Sequence, residues 1–126
     1  MLNKGLRDQE SIRIDNILKV LHSLTFVPKF WNLEDLLHLE SELKDLGMNI
    51  ESLQDFDENQ LISHLERLHF DWKHFEIFAD FLIKISKGNS FNFSEKAIAI
   101  YDYIQQESKT FSFEIFNKLA AAKANL

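Results

Sequence analysis

Cysteine is absent from this chain, proline occurs once and glycine three times. Without cysteine there can be no disulfide, no thiolate metal centre and no cysteine nucleophile, and a reducing compartment, the cytoplasm, is the expected location. The scarcity of glycine and proline excludes a glycine-rich phosphate loop and argues against extended disorder. No apolar run approaches the roughly 18 residues of a membrane span. The first ten residues, which include Lys4, Arg7, Asp8 and Glu10, lack the apolar stretch of a signal peptide, so neither export nor a membrane partner is expected.

Catalytic signatures are missing too. There is no Gly-x-Ser-x-Gly elbow, no His-Glu-x-x-His pair and no EF-hand spacing. The adjacent Ser63 and His64 do not make a dyad, because neighbours on a helix point about 100° apart. No segment alternates at period two for long enough to be a strand. The expectation is a non-enzymatic, all-α protein with no cofactor.

What the chain has instead is twelve phenylalanines and a 45% hydrophobic content spread over 126 residues. That length forms one domain, 1–126, able to bury about two thirds of its unfolded surface. Helical periodicity predicts about six helices, arranged as an irregular bundle or a short solenoid-like array of helix pairs. The first spans 8–24, with Ile14, Ile17, Leu18, Leu21 and Leu24 as its apolar stripe and Ile12 and Val20 widening it. The connector Phe26 to Trp31, broken by Pro28, is expected to press on the core or to form a homo-oligomer contact. Asn32 is expected to cap a helix over 33–46 that Gly47 closes, with leucines 33, 36, 37, 43 and 46 inward and Leu39 half exposed. Residues 48–56 are ambiguous, with Asn49 or Ser52 able to start a short helical turn. Asp57 to Gln60 is a capping-box pattern opening a helix over 57–68.

The central element is expected over 71–87. Its polar side chains Lys73, Glu76, Asp80, Lys84 and Lys87 fall on one narrow stripe, Asp71 caps it, Asp80 and Lys84 form an i,i+4 pair, and Gly88 ends it in the left-handed conformation. A helix apolar over most of its circumference must be buried on several sides. Ser94 is expected to cap a helix through Ala97, Ile98, Tyr101 and Ile104, and Ser112 a last one through Phe116, Leu119 and Ala120. Tyr101 and Tyr103 lie on different faces.

Five of the expected helix starts pair an aromatic residue with an apolar one five positions on: Trp31 with Leu36, Phe56 with Leu61, Phe70 with Phe75, Phe93 with Ile98, and Phe111 with Phe116. This is the spacing of the hydrophobic staple, which fixes how the chain enters a helix. The aromatic starts at Trp31, Phe70 and Phe111 recur after 39 and 41 residues, a period compatible with stacked helix pairs.

Charge is unevenly distributed. Between residues 34 and 66 lie ten acids and a single base, Lys44, a local formal charge of −9 in a chain whose total is −6. Such a block repels nucleic acid and attracts a basic protein partner, and the expected contacts are Glu34, Glu40, Glu42, Asp45, Glu51, Asp55 and Glu58. Some of these acids also suit the first turn of a helix. Nucleic-acid binding is not expected: the helix over 71–87 carries few bases and hides most of its surface. A second reading comes from the pairs Asp35 and His38, Glu66 and His69, and Asp71 and His74, each with the i,i+3 spacing of carboxylate-histidine metal sites. In that alternative His64, Glu66, His69 and His74 hold a metal ion.

Overall fold

The structure, a computed structural model, describes residues 2–25, 33–88 and 92–125. Seven α-helices and no strand occur among them: α1 (Leu2–Leu24), α2 (Leu33–Lys44), α3 (Ile50–Asp55), α4 (Glu58–Arg67), α5 (Trp72–Gly88), α6 (Ser94–Glu107) and α7 (Phe113–Ala124). α5 packs against α6 and α1, α6 also meets α7 and α4, and α1 meets α2. The helix expected at the centre is at the centre. Its Phe75, Phe78, Ala79, Phe81, Leu82 and Ile85 are buried in one core with Ile14, Leu18 and Leu21 of α1 and Ala97, Ile100 and Ile104 of α6.

Local chemistry explains where the helices begin and end. α3 forms because Asn49 and Ser52 make a capping box, Asn49 Oδ1 accepting from the Ser52 N–H at 2.7 Å and Ser52 Oγ from the Asn49 N–H at 2.9 Å. Asp57 and Gln60 do the same for α4 at 2.7 and 2.9 Å. Asp71 caps α5 by accepting from the His74 N–H at 2.8 Å, and Ser112 caps α7 by accepting from the Ile115 N–H at 3.2 Å. α2 closes with paired bonds from the Gly47 N–H to Lys44 at 2.9 Å and from the Met48 N–H to Leu43 at 3.1 Å. Gly47 sits at φ 70, the left-handed residue such a closure requires. α4 closes in the same way on His69, at φ 65, a position a side chain occupies at a cost of about 1 kcal/mol or more.

Several expectations are corrected. α1 begins at Leu2 rather than near Asp8. Ile12, expected to widen the α1 stripe, is 57% exposed. On α2, Leu39 is fully buried and Leu37 is 60% exposed, because Leu36, Leu39, Leu43 and Leu46 recur at spacings of three and four while Leu37 points about 100° away from Leu36. α6 starts one residue early for Ser94 to cap it: Phe93 is the cap position and no side chain fills that role. α7 turns Ile115 and Ala122 into the protein and leaves Phe116 and Ala120 exposed, since its inward stripe is Ile115, Lys118, Leu119 and Ala122. The Phe111 and Phe116 rings do meet, at 6.0 Å, but both lie on the outside. That staple orders a helix start without belonging to the core. The Phe70 and Phe75 pair, at 5.7 Å, does belong to it. Gly88 is the last residue of α5. The Phe26 to Trp31 connector and Asn32, with the oligomer contact and cap expected there, lie outside the described residues.

Candidate functional site

The three clustered histidines are absorbed by the fold. His64 reaches the Leu46 carbonyl with Nε2 at 2.7 Å and packs its ring on Phe56 at 5.5 Å, closing the end of α2. His74 is 2% exposed; its Nδ1 accepts from the Asp71 N–H at 3.1 Å, so Nε2 carries the proton and donates to Asp15 at 2.8 Å. With both ring nitrogens engaged, this histidine has no lone pair left for a metal or a substrate proton. His69 is the exposed left-handed residue that ends α4. Glu66 accepts from the Tyr103 hydroxyl. The i,i+3 acid and histidine pairs at 66–69 and 71–74 are therefore the spacing of a helix stop and a capping box. Among the described residues, no group of three or more histidines, cysteines, aspartates or glutamates converges as a metal site. His38 lies 3.8 Å from Glu42 on the surface of α2.

Glu66, His69 and His74 do border a common cleft. It lies between α1, the junction of α4 and α5, and α6, encloses about 650 Å³, and is lined by Asp8, Glu10, Ser11, Glu66, Asp71 and the rings of Phe70, Trp72, Phe75 and Tyr103. Trp72 is 40% exposed, with Tyr103 at 5.6 Å and Phe75 at 5.9 Å. Burial, then the hydrogen bond and charge of Glu66, push the Tyr103 phenol up to about 12. It stays a donor at neutral pH.

The acidic block divides by use. Glu40 is half-buried and its Oε1 accepts from the Ile50 N–H at 2.7 Å, tying α2 to the start of α3. Glu42 and Glu58 are partly buried, whereas Glu34, Asp45, Glu51 and Asp55 are exposed. Cations approach this surface but bind main chain: Arg13 Nη1 donates to the Asp45 carbonyl at 3.1 Å and Lys96 Nζ to the Gln54 carbonyl at 3.5 Å. Both serve helix C-termini, where carbonyls lack partners and the dipole favours positive charge.

A different set of acids faces inward. Lys118 of α7 donates to Glu76 at 2.6 Å and to Asp80 at 2.9 Å on α5, and lies 3.4 Å from Glu114. Tyr101 of α6 donates to the other Asp80 oxygen at 2.6 Å. Burial pulls the Lys118 ammonium down, but its hydrogen bonds with Glu76 and Asp80 outweigh this and hold it above the usual lysine range. Burial first, then the bond to Asp80 and the nearby negative charge, hold the Tyr101 phenol well above its ordinary value. This network borders a second cavity, about 740 Å³, between α5, α6 and α7. Sequence reading placed Glu76 and Asp80 on the polar stripe of α5 and missed Lys118. The available signal was its spacing of three from Ile115 and four from Ala122, which sets a cation on the inward face.

Comparison with protein-family models, curated proteins and solved structures finds no significant match to this chain.

Proposed function

We propose that the chain is a non-catalytic protein-interaction domain whose α2–α4 surface receives a basic partner. One observation carries this reading: Glu34, Asp45, Glu51 and Asp55 are exposed, and among the described residues no lysine or arginine forms an ion pair with their carboxylates. Unmatched charge of one sign raises encounter rates with the opposite sign and disfavours wrong partners. Of the seven carboxylates expected as contacts, Glu40 is a structural acceptor, and Glu42 and Glu58 are at most flanking contacts.

The test is a low-salt pull-down comparing the wild type with a variant carrying Glu34→Gln, Asp45→Asn, Glu51→Gln and Asp55→Asn. The expected result is a stoichiometric partner that is held by the wild type, released by salt and lost in the folded variant. Capture that survives neutralisation unchanged would show that these carboxylates are only a solvated surface.

A further inference from the structure

We propose that the cleft between α1, the α4–α5 junction and α6 binds the guanidinium group of an arginine side chain. The cleft starts as an aromatic cavity. Its volume of about 650 Å³ lies in the range of small-ligand sites, and it presents the half-exposed indole of Trp72 beside Tyr103 and Phe75. An indole face attracts a cation through the ring quadrupole, most strongly where the site is partly desolvated. Carboxylates line the same cleft. Asp8, Glu10, Glu66 and Asp71 line the cleft, and no lysine or arginine is among the described lining residues.

The hydrogen-bond inventory narrows the cation. Glu66 gives one oxygen to Tyr103 and Asp71 gives Oδ1 to the α5 cap, and a carboxylate offers about four acceptor positions. Acceptor capacity therefore remains in the cleft. His74, which forms part of the wall, has both ring nitrogens engaged, by the Asp71 N–H and by Asp15. A quaternary ammonium would use the aromatic face but satisfy none of these acceptors. A lysine ammonium would satisfy acceptors but has no plane to lay on the indole. Guanidinium does both, being planar, weakly hydrated and a donor of five hydrogen bonds. The partner chemistry is thus an arginine-bearing peptide or protein surface. This site uses none of the α2–α4 carboxylates proposed above, so the two readings stand or fall separately.

The experiment is a nitrogen–proton NMR titration of the full chain with N-acetyl-arginine amide, alongside its neutral isostere N-acetyl-citrulline amide and tetramethylammonium. Saturable shifts are expected at the Trp72 indole N–H and at amides between 66 and 75, with a dissociation constant on the order of 1 mM. The citrulline compound and tetramethylammonium should each bind at least tenfold more weakly. Trp72→Ala should weaken the arginine compound at least tenfold. Glu10→Gln, on the exposed side of α1, should weaken it two- to threefold and covers the case in which the tryptophan variant does not fold. Three results would overturn the proposal: no saturable shift in the cleft, equal binding of the citrulline compound, or tetramethylammonium binding as tightly as arginine.

Discussion

Two acidic regions of this protein meet opposite fates. On α5, Glu76 is 9% exposed and pairs with Lys118 and Lys73, while Asp80 is held by Lys118 and the Tyr101 hydroxyl. On α2 to α4, Glu34, Asp45, Glu51 and Asp55 stand in solvent with no lysine or arginine paired with their carboxylates among the described residues. The same residue types are structural in one place and available in the other. The difference lies in burial: a carboxylate removed from water must find donors, whereas an exposed one is held by hydration and is free to meet a partner.

The largest expected effect comes from breaking the inner region. Lys118→Met removes the cation that Glu76 and Asp80 share, leaving Glu76 only Lys73 at 3.6 Å, and should lower unfolding free energy by about 3 kcal/mol, at the low end for a buried pair because the lysine side chain is 28% exposed. Urea denaturation checks this, and a loss below about 1 kcal/mol would mean that water already screens the network.

The same region predicts alkaline lability. Tyr101 and Lys118 are both held above their ordinary values of 10.0 and 10.5, so the folded state binds their protons more tightly than the unfolded one. Their contribution is full below about pH 10 and is lost as pH rises towards the folded values. The thermal midpoint should therefore fall as pH rises above about 10, and fall less in Tyr101→Phe than in the wild type.

Within the outer region, Glu40 should behave like an inner acid. Glu40→Ala removes the acceptor for the Ile50 N–H and should cost about 1 kcal/mol in chemical denaturation, while Glu40→Gln, which keeps an acceptor oxygen, should cost less. The smallest effect is expected from neutralising Glu34, Asp45, Glu51 and Asp55 together, which should leave the unfolding midpoint unchanged while altering partner capture. A large loss of stability in that variant would erase the distinction between the two regions.

Much of the fold was legible because its signals are local. Helix periods, the Asp57, Asp71 and Ser112 caps and the Gly47 stop all operate within four residues or so, and all appear where the spacing put them. Even the errors were local ones of phase. Periodicity points Leu37 inward where Leu39 is buried, and Phe116 into the core where Ile115 is. The i,i+3 acid and histidine pairs misled for a related reason, since metal sites and helix ends use the same short spacing.

By itself, then, the sequence determined an all-helical chain with α5 at its centre, because burial of a nearly all-apolar helix is forced by its own composition. It also set the uneven charge. Only the tertiary structure decided which charges remain available. Lys118 meets Glu76 and Asp80 across 42 and 38 residues of chain, and His74 meets Asp15 across 59. No local pattern encodes such pairings, since they exist only once packing of the core has brought separate helices together. The same packing brings Trp72 into one cleft with carboxylates from α1, α4 and the α4–α5 junction.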